Sequence, residues 1–389
     1  MPDYTHLERV RQELPATGPN LFLNTGTFGP LPIRSVQAMQ QQLERELQSG
    51  RLGSAFFERL IATYQTTRQA LARLLHVDED EIALTANTGE GLNIISNGLN
   101  WQPGDEIITT NHEHISLLAP LYQLRARYGV VIHVADLGVH AELPVLKAVA
   151  NLATPRTKLI ALSHVTWSTG MRLEVAEVGA LGRERDIPVL IDGAQAAGAI
   201  PLDLHALGVD FYAVPGQKWL CGPDGTGALY ARREALKYVT ATYVGYFSSD
   251  DPHADIWKLQ ENARRFEVGG RQTAAVAAQA ASLAWLEETV GHTWIFARIP
   301  ELNRYAAQTL VTVPGLRMLS PRPGDSGLLT FTLEGRNPDE VVTYLSEQYH
   351  ISIRTIPEMG SLRVSTGFYN TEEEINTLVK ALAEYQGTH

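Results

Sequence analysis

Four short stretches of this 389-residue chain carry side chains whose type and position could do chemistry. The apolar run Val189-Leu190-Ile191 ends in Asp192, with Gln195 three residues on. A carboxylate at the end of a buried run is costly to desolvate unless something positive meets it; it could also cap the Ala-rich stretch that follows. The run Phe211-Tyr212-Ala213-Val214 leads through Pro215, Gly216 and Gln217 to Lys218 and a Gly-rich loop. A desolvated lysine loses affinity for its proton, which makes it a base or a nucleophile able to form a Schiff base; the plainer alternative is a surface lysine in a loop. Asn87-Thr88-Gly89-Glu90 stands between an apolar run and a helical stretch, where backbone N–H groups and the helix dipole suit a phosphate, although Asn87 and Glu90 also fit a capping box. Asn111-His112-Glu113-His114 follows a further apolar run. Its histidines lack the i, i+4 spacing that would put both on one helix face for a metal, so no metal is expected. An imidazole stacked on a flat ligand and a hydrogen-bonded structural histidine are the two readings left.

Taken together, a phosphate cradle, a stacking ring, a carboxylate for a pyridinium nitrogen and a Schiff-base lysine are a protein's share of a pyridoxal phosphate site. The elements needed to gather them are legible. Between residues 60 and 232, seven short apolar runs (81–86, 106–110, 130–135, 158–164, 189–192, 211–214 and 227–231) alternate with helical stretches at 91–99, 116–128, 143–152 and 175–185. Continuous apolar runs are what strands buried on both faces look like, and the alternation predicts an α/β fold built on a mostly parallel seven-stranded sheet. Such sheets bind ligands at the carboxyl ends of their strands, where all four stretches lie.

The last third reads differently. An Ala-rich helix over 273–285 is followed by strand-like segments at 328–333, 351–355 and 362–366 and by helices over 338–348 and 371–384, a smaller α+β unit. The expected division is an N-terminal segment of residues 1–20 packing on the small domain, a large cofactor-binding domain of residues 21–270, and a connecting helix with the small C-terminal domain over residues 271–389.

Composition narrows the class. With 44% hydrophobic and 19% charged residues the chain is an ordinary globular protein. Its net charge of −11 argues against nucleic-acid or anionic-membrane partners, both of which select a positive field. A single cysteine excludes an intrachain disulfide and fits a reducing compartment. Without a signal peptide or an apolar run of about 20 residues, a cytoplasmic protein is expected. No strand is followed by the Gly-x-Gly-x-x-Gly of nicotinamide enzymes.

These motifs, with Leu23-Asn24-Thr25-Gly26-Thr27 near the start and Arg363-Val364-Ser365-Thr366-Gly367-Phe368-Tyr369-Asn370 near the end, resemble the fold-type-I pyridoxal phosphate enzymes of the class V aminotransferase group, which includes the cysteine desulfurases. The resemblance covers nearly the whole length. It implies that Lys218 is the Schiff-base lysine, that Asp192 pairs with the pyridine nitrogen, that Gln195 contacts the ring hydroxyl, that His114 stacks on the ring, and that Thr88 and Gly89 hold the phosphate. It further implies a substrate carboxylate on Arg363, assisted by Arg354, with Thr166 and Trp167 near the substrate, and a homodimer.

The departures carry as much weight. Desulfurases place Ser-x-His-Lys where this chain has Pro215-Gly216-Gln217-Lys218, which leaves Gln217 to serve the phosphate. Trp167 stands where many relatives have Asn. Gly270 replaces a Thr that reaches the neighbouring subunit's phosphate site, a loss Arg271 could offset. The segment from Arg354 to Arg363 is too short for the loop that carries the desulfurases' catalytic cysteine, and it contains none; Cys221 is expected to be structural. The pattern is most similar to the cysteine/cystine C–S lyases of the group. These are small-molecule enzymes expected to release pyruvate, ammonia and a persulfide or sulfide, with a sulfur-accepting scaffold protein of iron–sulfur cluster assembly as a candidate partner. A desulfurase, an aminotransferase or epimerase of the same fold, and a non-enzymatic dimer scaffold are the alternatives.

Overall fold

All seven apolar runs form one sheet in the computed structural model, which describes residues 4–251 and 257–388. In chain order the N-terminal part contains α1 (Tyr4–Gln12), β1 (Leu21–Phe22), α2 (Ile33–Ser49) and α3 (Gly53–Leu75). The sheet-building part follows: β2 (Ile82–Thr85), α4 (Thr88–Gly98), β3 (Glu106–Thr110), α5 (Ile115–Tyr128), β4 (Val131–Ala135), α6 (Val145–Leu152), β5 (Thr157–Ser163), α7 (Val175–Arg185), β6 (Val189–Asp192), α8 (Leu204–Leu207), β7 (Phe211–Pro215) and β8 (Gly227–Ala231). The strand order is β2-β8-β7-β6-β5-β3-β4. Alternate residues of the central strands enter two separate apolar clusters. Ile160, Leu162, Val189, Ile191, Tyr212 and Val214 face one side, and Leu159, Ala161, Leu190, Phe211 and Ala213 face the other. Both faces are therefore covered, by α3, α6 and α7 on one side and by α4 and α5 on the other.

One strand runs against the rest. β8 is antiparallel to both of its neighbours, β7 and β2. Only residues 216–226 join β7 to β8, too few for the crossover that a parallel return needs. The chain doubles back instead, and Lys218 sits on that reversal.

The C-terminal part comprises α9 (Thr273–Trp285), α10 (His292–Leu310), β9 (Leu316–Met318), β10 (Leu328–Leu333), α11 (Pro338–Tyr349), β11 (Ile351–Ser352), β12 (Arg354–Ile356), β13 (Ser361–Ser365) and α12 (Glu372–Thr388). Four of these strands form an antiparallel sheet in the order β12-β13-β10-β9, with its own apolar cluster against α10, α11 and α12. The N-terminal segment belongs partly here. β1 pairs with β11, Leu23 is buried in this third cluster, and Arg11 forms an ion pair with Glu374 at 2.8 Å. α9 instead buries Val276, Leu283 and Trp285 in the large cluster with α3. We therefore propose that the segment contacting the small unit extends past residue 20, and that α9 is packed with the large one. Among the described residues no helix is long and apolar enough to cross a membrane.

Edge strand β2, which delivers the chain to the start of α4, is fixed by a buried charge. Arg68 on α3 meets Glu267 at 2.6 Å, with side-chain exposures of 4% and 5%. Arg68 also donates to the Ile82 carbonyl, and Glu267 accepts from the Leu84 N–H. Arg68→Met would leave Glu267 buried and unpaired, at a cost of about 3–5 kcal/mol. A clear fall in the urea midpoint is expected, largely recovered in the Arg68→Met/Glu267→Gln double variant. An unchanged midpoint for the single variant would contradict the role given to this pair.

Candidate active site

Five strand ends of the sheet and one edge of the small sheet surround a cavity of about 420 Å³. Asp192 closes β6, and Lys218 follows β7 on the neighbouring strand. Ser163 ends β5 in register with Asp192. His114 caps α5 beyond β3, and Thr88 and Gly89 open α4 beyond β2. From the opposite side come Arg354 and Arg363, paired across β12 and β13. The segment 24–29 crosses between the two sheets and runs against the lysine loop. A Cβ on Gly29 would lie 2.1 Å from the Lys218 carbonyl oxygen, so only glycine lets the two backbones approach.

Burial sets the charges. Asp192 is 4% exposed and accepts one backbone hydrogen bond, from Ala194 N–H at 2.9 Å. Desolvation raises its carboxyl above the usual range against the pull of Lys218. Desolvation also brings the Lys218 ammonium down to about 8; Asp192 opposes that shift, and Arg363 and Arg354 reinforce it. The two groups attract each other without forming an ion pair within 4.0 Å. His114 is lowered to about 4 by burial and then by the cationic Lys218, Arg354 and Arg363, so it is neutral at pH 7. Its Nδ1 accepts from the Ser116 N–H at 3.2 Å, which places the imidazole proton on Nε2.

The arginines are unusual in what they lack. Arg363 is fully buried and gives Nη1 to the Trp167 carbonyl at 2.7 Å, yet its Nε and Nη2 have no partner. Those two N–H groups form one edge of the guanidinium, the edge that a carboxylate bridges bidentately. Burial and the neighbouring Arg354 lower its pKa to about 9. Arg354 lies over the Trp167 ring at 5.6 Å, and that ring meets His114 edge-on at 5.0 Å.

Of the residues singled out in the sequence, the cavity brings together Lys218, Asp192, His114, Thr88, Gly89, Gln195, Gln217, Trp167, Arg354 and Arg363. Thr166 and Arg271 are not among the residues lining it. The Thr166 hydroxyl is fully buried against Thr169 at 2.8 Å. Arg271 is held by Glu90 at 2.7 Å, where it neutralises an acid in the first turn of α4. Asn87 caps α4 through the Glu90 N–H, while Glu90 reaches the Ala86 N–H, one residue earlier than a capping box requires. The Gln195 amide is engaged from both ends, donating to Gly26 O and accepting from Trp219 Nε1. His112 is turned out of the cavity, its ring nitrogens at 2.8 Å from Ser168 Oγ and Gly138 O. Cys221 is buried, lies outside the lining, and has its thiol pushed up to about 12 by burial.

Sequence reasoning missed Ser163 and Glu113. Glu113 is buried behind the cavity, bonded by Ser163 Oγ at 2.5 Å and Thr110 Oγ1 at 2.6 Å, and desolvation raises it to about 7. Only the glutamate's place beside His114 hinted at it.

The residues fit the expected cofactor. An acid and an amine face one space without touching, a helix N-terminus opens on it, and Gln217 Oε1 is buried there without a donor. Turning that amide over would present an N–H to a phosphate oxygen.

The class-V aminotransferase family matches residues 21–378. Cysteine desulfurase CsdA of Escherichia coli is 30% identical over 96% of each chain. A probable cysteine desulfurase of Methanothermobacter thermautotrophicus is 28% identical over 99% of each. Among solved structures, the cystine C–S lyase C-DES in complex with its reaction product cysteine persulfide is 31% identical with a TM-score of 0.91, covering 95% of this chain and 99% of the other. A lysine-to-alanine variant of C-DES, with glycine covalently linked to its PLP cofactor, gives a TM-score of 0.92 at 30% identity over 99% and 100% of the two chains.

A lysine held near 8 reacts as an amine at lower pH than an exposed one. In the cofactor-free protein, condensation of an aldehyde with Lys218, trapped by borohydride and read by peptide mapping, should rise with pH with a midpoint near 8. A midpoint near the model-peptide value of about 10.4, or labelling at another lysine, would contradict the assignment.

Proposed function

The chain belongs to the class-V aminotransferase family, and from that premise we propose that it is a pyridoxal-phosphate-dependent carbon–sulfur lyase acting on cystine in preference to cysteine. The observation that carries the proposal is the state of the only thiol. Cys221 is the single cysteine of the chain, it lies outside the cavity, and burial keeps it protonated. A sulfur atom released in the cavity has no protein thiolate to receive it, so it leaves either as free sulfide or on a piece of the substrate. Cystine provides that piece: with one water, it gives pyruvate, ammonia and cysteine persulfide.

Bound in this cavity, pyridoxal phosphate supplies an electron sink for charge at Cα. The protein's residues do the rest. Arg363 offers Nε and Nη2 to the α-carboxylate, and Arg354, opposite it in register, adds a second positive charge. Holding the carboxylate fixes the Cα–H bond relative to the amine of Lys218. Lys218 Nζ, with its affinity for protons lowered to about 8, takes the Cα proton. The buried Asp192 carboxylate gains the cationic partner it lacks in a protonated ring nitrogen, which relieves its desolvation. As the Cβ–S bond breaks, the sulfur leaves with the bonding pair. Neutral His114 can offer only a weakly acidic Nε2–H, so a sulfur group that departs as a stable anion without taking up a proton is favoured, and a persulfide anion, with its charge next to a second sulfur, meets that need.

The amino-acid substrate is a small molecule, and the further partners belong to the same proposal. The exposed Tyr243, Tyr246 and Val268 cluster by the Gly269-Gly270 turn, an apolar surface suited to a second copy of the chain in a two-fold dimer. A sulfur-accepting scaffold protein would take the persulfide after release.

Steady-state assays of pyruvate release should give a higher kcat/KM for cystine than for cysteine. Alanine as product would overturn the lyase reading in favour of a desulfurase, and a preference for cysteine with pyruvate as product would overturn the preference for cystine; a new amino acid formed with an added keto acid would favour an aminotransferase.

Cys221→Ser should retain most of the cystine turnover. Loss of turnover with full cofactor absorbance would revive a persulfide carried on the protein.

A further inference from the structure

A second cavity, of about 930 Å³, lies against the first and shares His114, Trp167 and Arg354 with it. These three side chains form the partition, with Trp167 wedged between the imidazole and the guanidinium. The smaller cavity is at the low end of the range for ligand sites and the vestibule near the top, which leaves room beyond the partition for the far end of a substrate held by Arg363. The walls there combine apolar and charged groups. Ile115 and Val139 line the vestibule and are 58% and 71% exposed. Arg317 also lines it, and its side chain has no hydrogen bond or ion pair among the described residues.

The small sheet explains where that arginine points. Arg363 pairs with Thr330 and with Arg354, and Arg317 pairs with Thr332. Thr330 and Thr332 are two residues apart on β10, so Arg354, Arg363 and Arg317 share one face of the sheet. That face runs from the α-carboxylate position outward through the vestibule. Glu358 stands at the exposed rim beyond Arg354, the one acid there not already engaged by hydroxyls as Glu113 is. A cation and an acid across an apolar floor suit a zwitterionic or peptide-like group.

We propose that the vestibule receives the leaving half of the substrate, so that the enzyme accepts cysteine disulfides whose second half is larger than cysteine and carries a carboxylate, peptide thiols among them. This rests on the lyase reading above. The chemistry is unchanged: for Cys–S–S–R, Lys218 Nζ takes the Cα proton, the Cβ–S bond breaks with its electron pair on sulfur, and one water completes pyruvate, ammonia and R–S–SH. No oxidant or reductant is consumed. Arg317 is a specificity residue in this scheme, reading the carboxylate of R.

The test compares cystine with the mixed disulfide of cysteine and glutathione on the holoenzyme, following pyruvate and the alkylated persulfide product by mass spectrometry. The mixed disulfide should be cleaved with a kcat/KM within about tenfold of that for cystine, yielding glutathione persulfide. Arg317→Ala should raise KM for the mixed disulfide about fivefold, as one exposed charge-assisted contact would, with kcat and the cystine parameters unchanged. Val139→Trp, which fills the vestibule at an exposed position, should exclude the mixed disulfide and spare cystine. Affinity of the non-turnover Lys218→Ala protein for the mixed disulfide should fall in the same two variants. Turnover of cystine with none of the mixed disulfide would overturn the vestibule proposal alone. Equal effects of both substitutions on the two substrates would overturn it as well, and failure of both substrates would sink the lyase reading with it.

Discussion

Two buried charges of opposite sign that do not touch are the constraint on which this molecule depends. Asp192 and Lys218 end adjacent strands at the floor of one cavity, and each is pushed toward its neutral form by desolvation. A fold does not keep such groups for stability, since apolar residues of similar size would cost less. Their separation marks a space for a third, ionisable and flat group. The sheet above them is correspondingly rigid: both faces are packed, and the lysine loop is clamped by the backbone of Gly29.

The second unit brings two arginines to the cavity, neither of them in an ion pair with an acid among the described residues. Across β12 and β13, Arg354 and Arg363 stand opposite one another, an arrangement that repels unless an anion intervenes. Arg363 keeps two donors unpaired in a fully buried position, which costs free energy that a carboxylate bound there would return. In the proposed reaction the small sheet is the half of the site that selects an amino acid, and the large sheet the half that holds the cofactor. Residues 21–29 run from one to the other, paired with β11 at one end and against the Lys218 loop at the other, so the two halves are positioned by one continuous strap.

The proposed lyase reaction differs from that of a desulfurase in the fate of sulfur. Burial inside the lysine loop makes Cys221 a small apolar filler at a positive-φ position rather than a nucleophile. With no thiolate in reach, a disulfide substrate that carries its own acceptor sulfur is the consistent partner for such a cavity.

The sequence by itself determined the large sheet. Seven apolar runs became seven strands; six are buried along nearly their whole length, as strands covered on both faces must be, while the edge strand β4 leaves Val131 and Val134 exposed. The sequence also marked Asp192, Lys218, His114 and the Thr88–Gly89 turn, since polar residues directly after such runs fall at strand ends. Tertiary structure decided the rest. The short two- and three-residue strands β1 and β9 carry no periodicity of their own and exist through their partners. β8 runs antiparallel because its connection is short, a matter of geometry rather than composition. Arg271 is spent on Glu90, Thr166 on Thr169, and Glu113, behind the cavity, on Ser163 in its lining. Those pairings turn on which side chain meets which, at separations from 3 residues for Thr166–Thr169 to 181 for Glu90–Arg271; hydrophobic spacing records only whether a side chain is buried, and it carries no information about the partner.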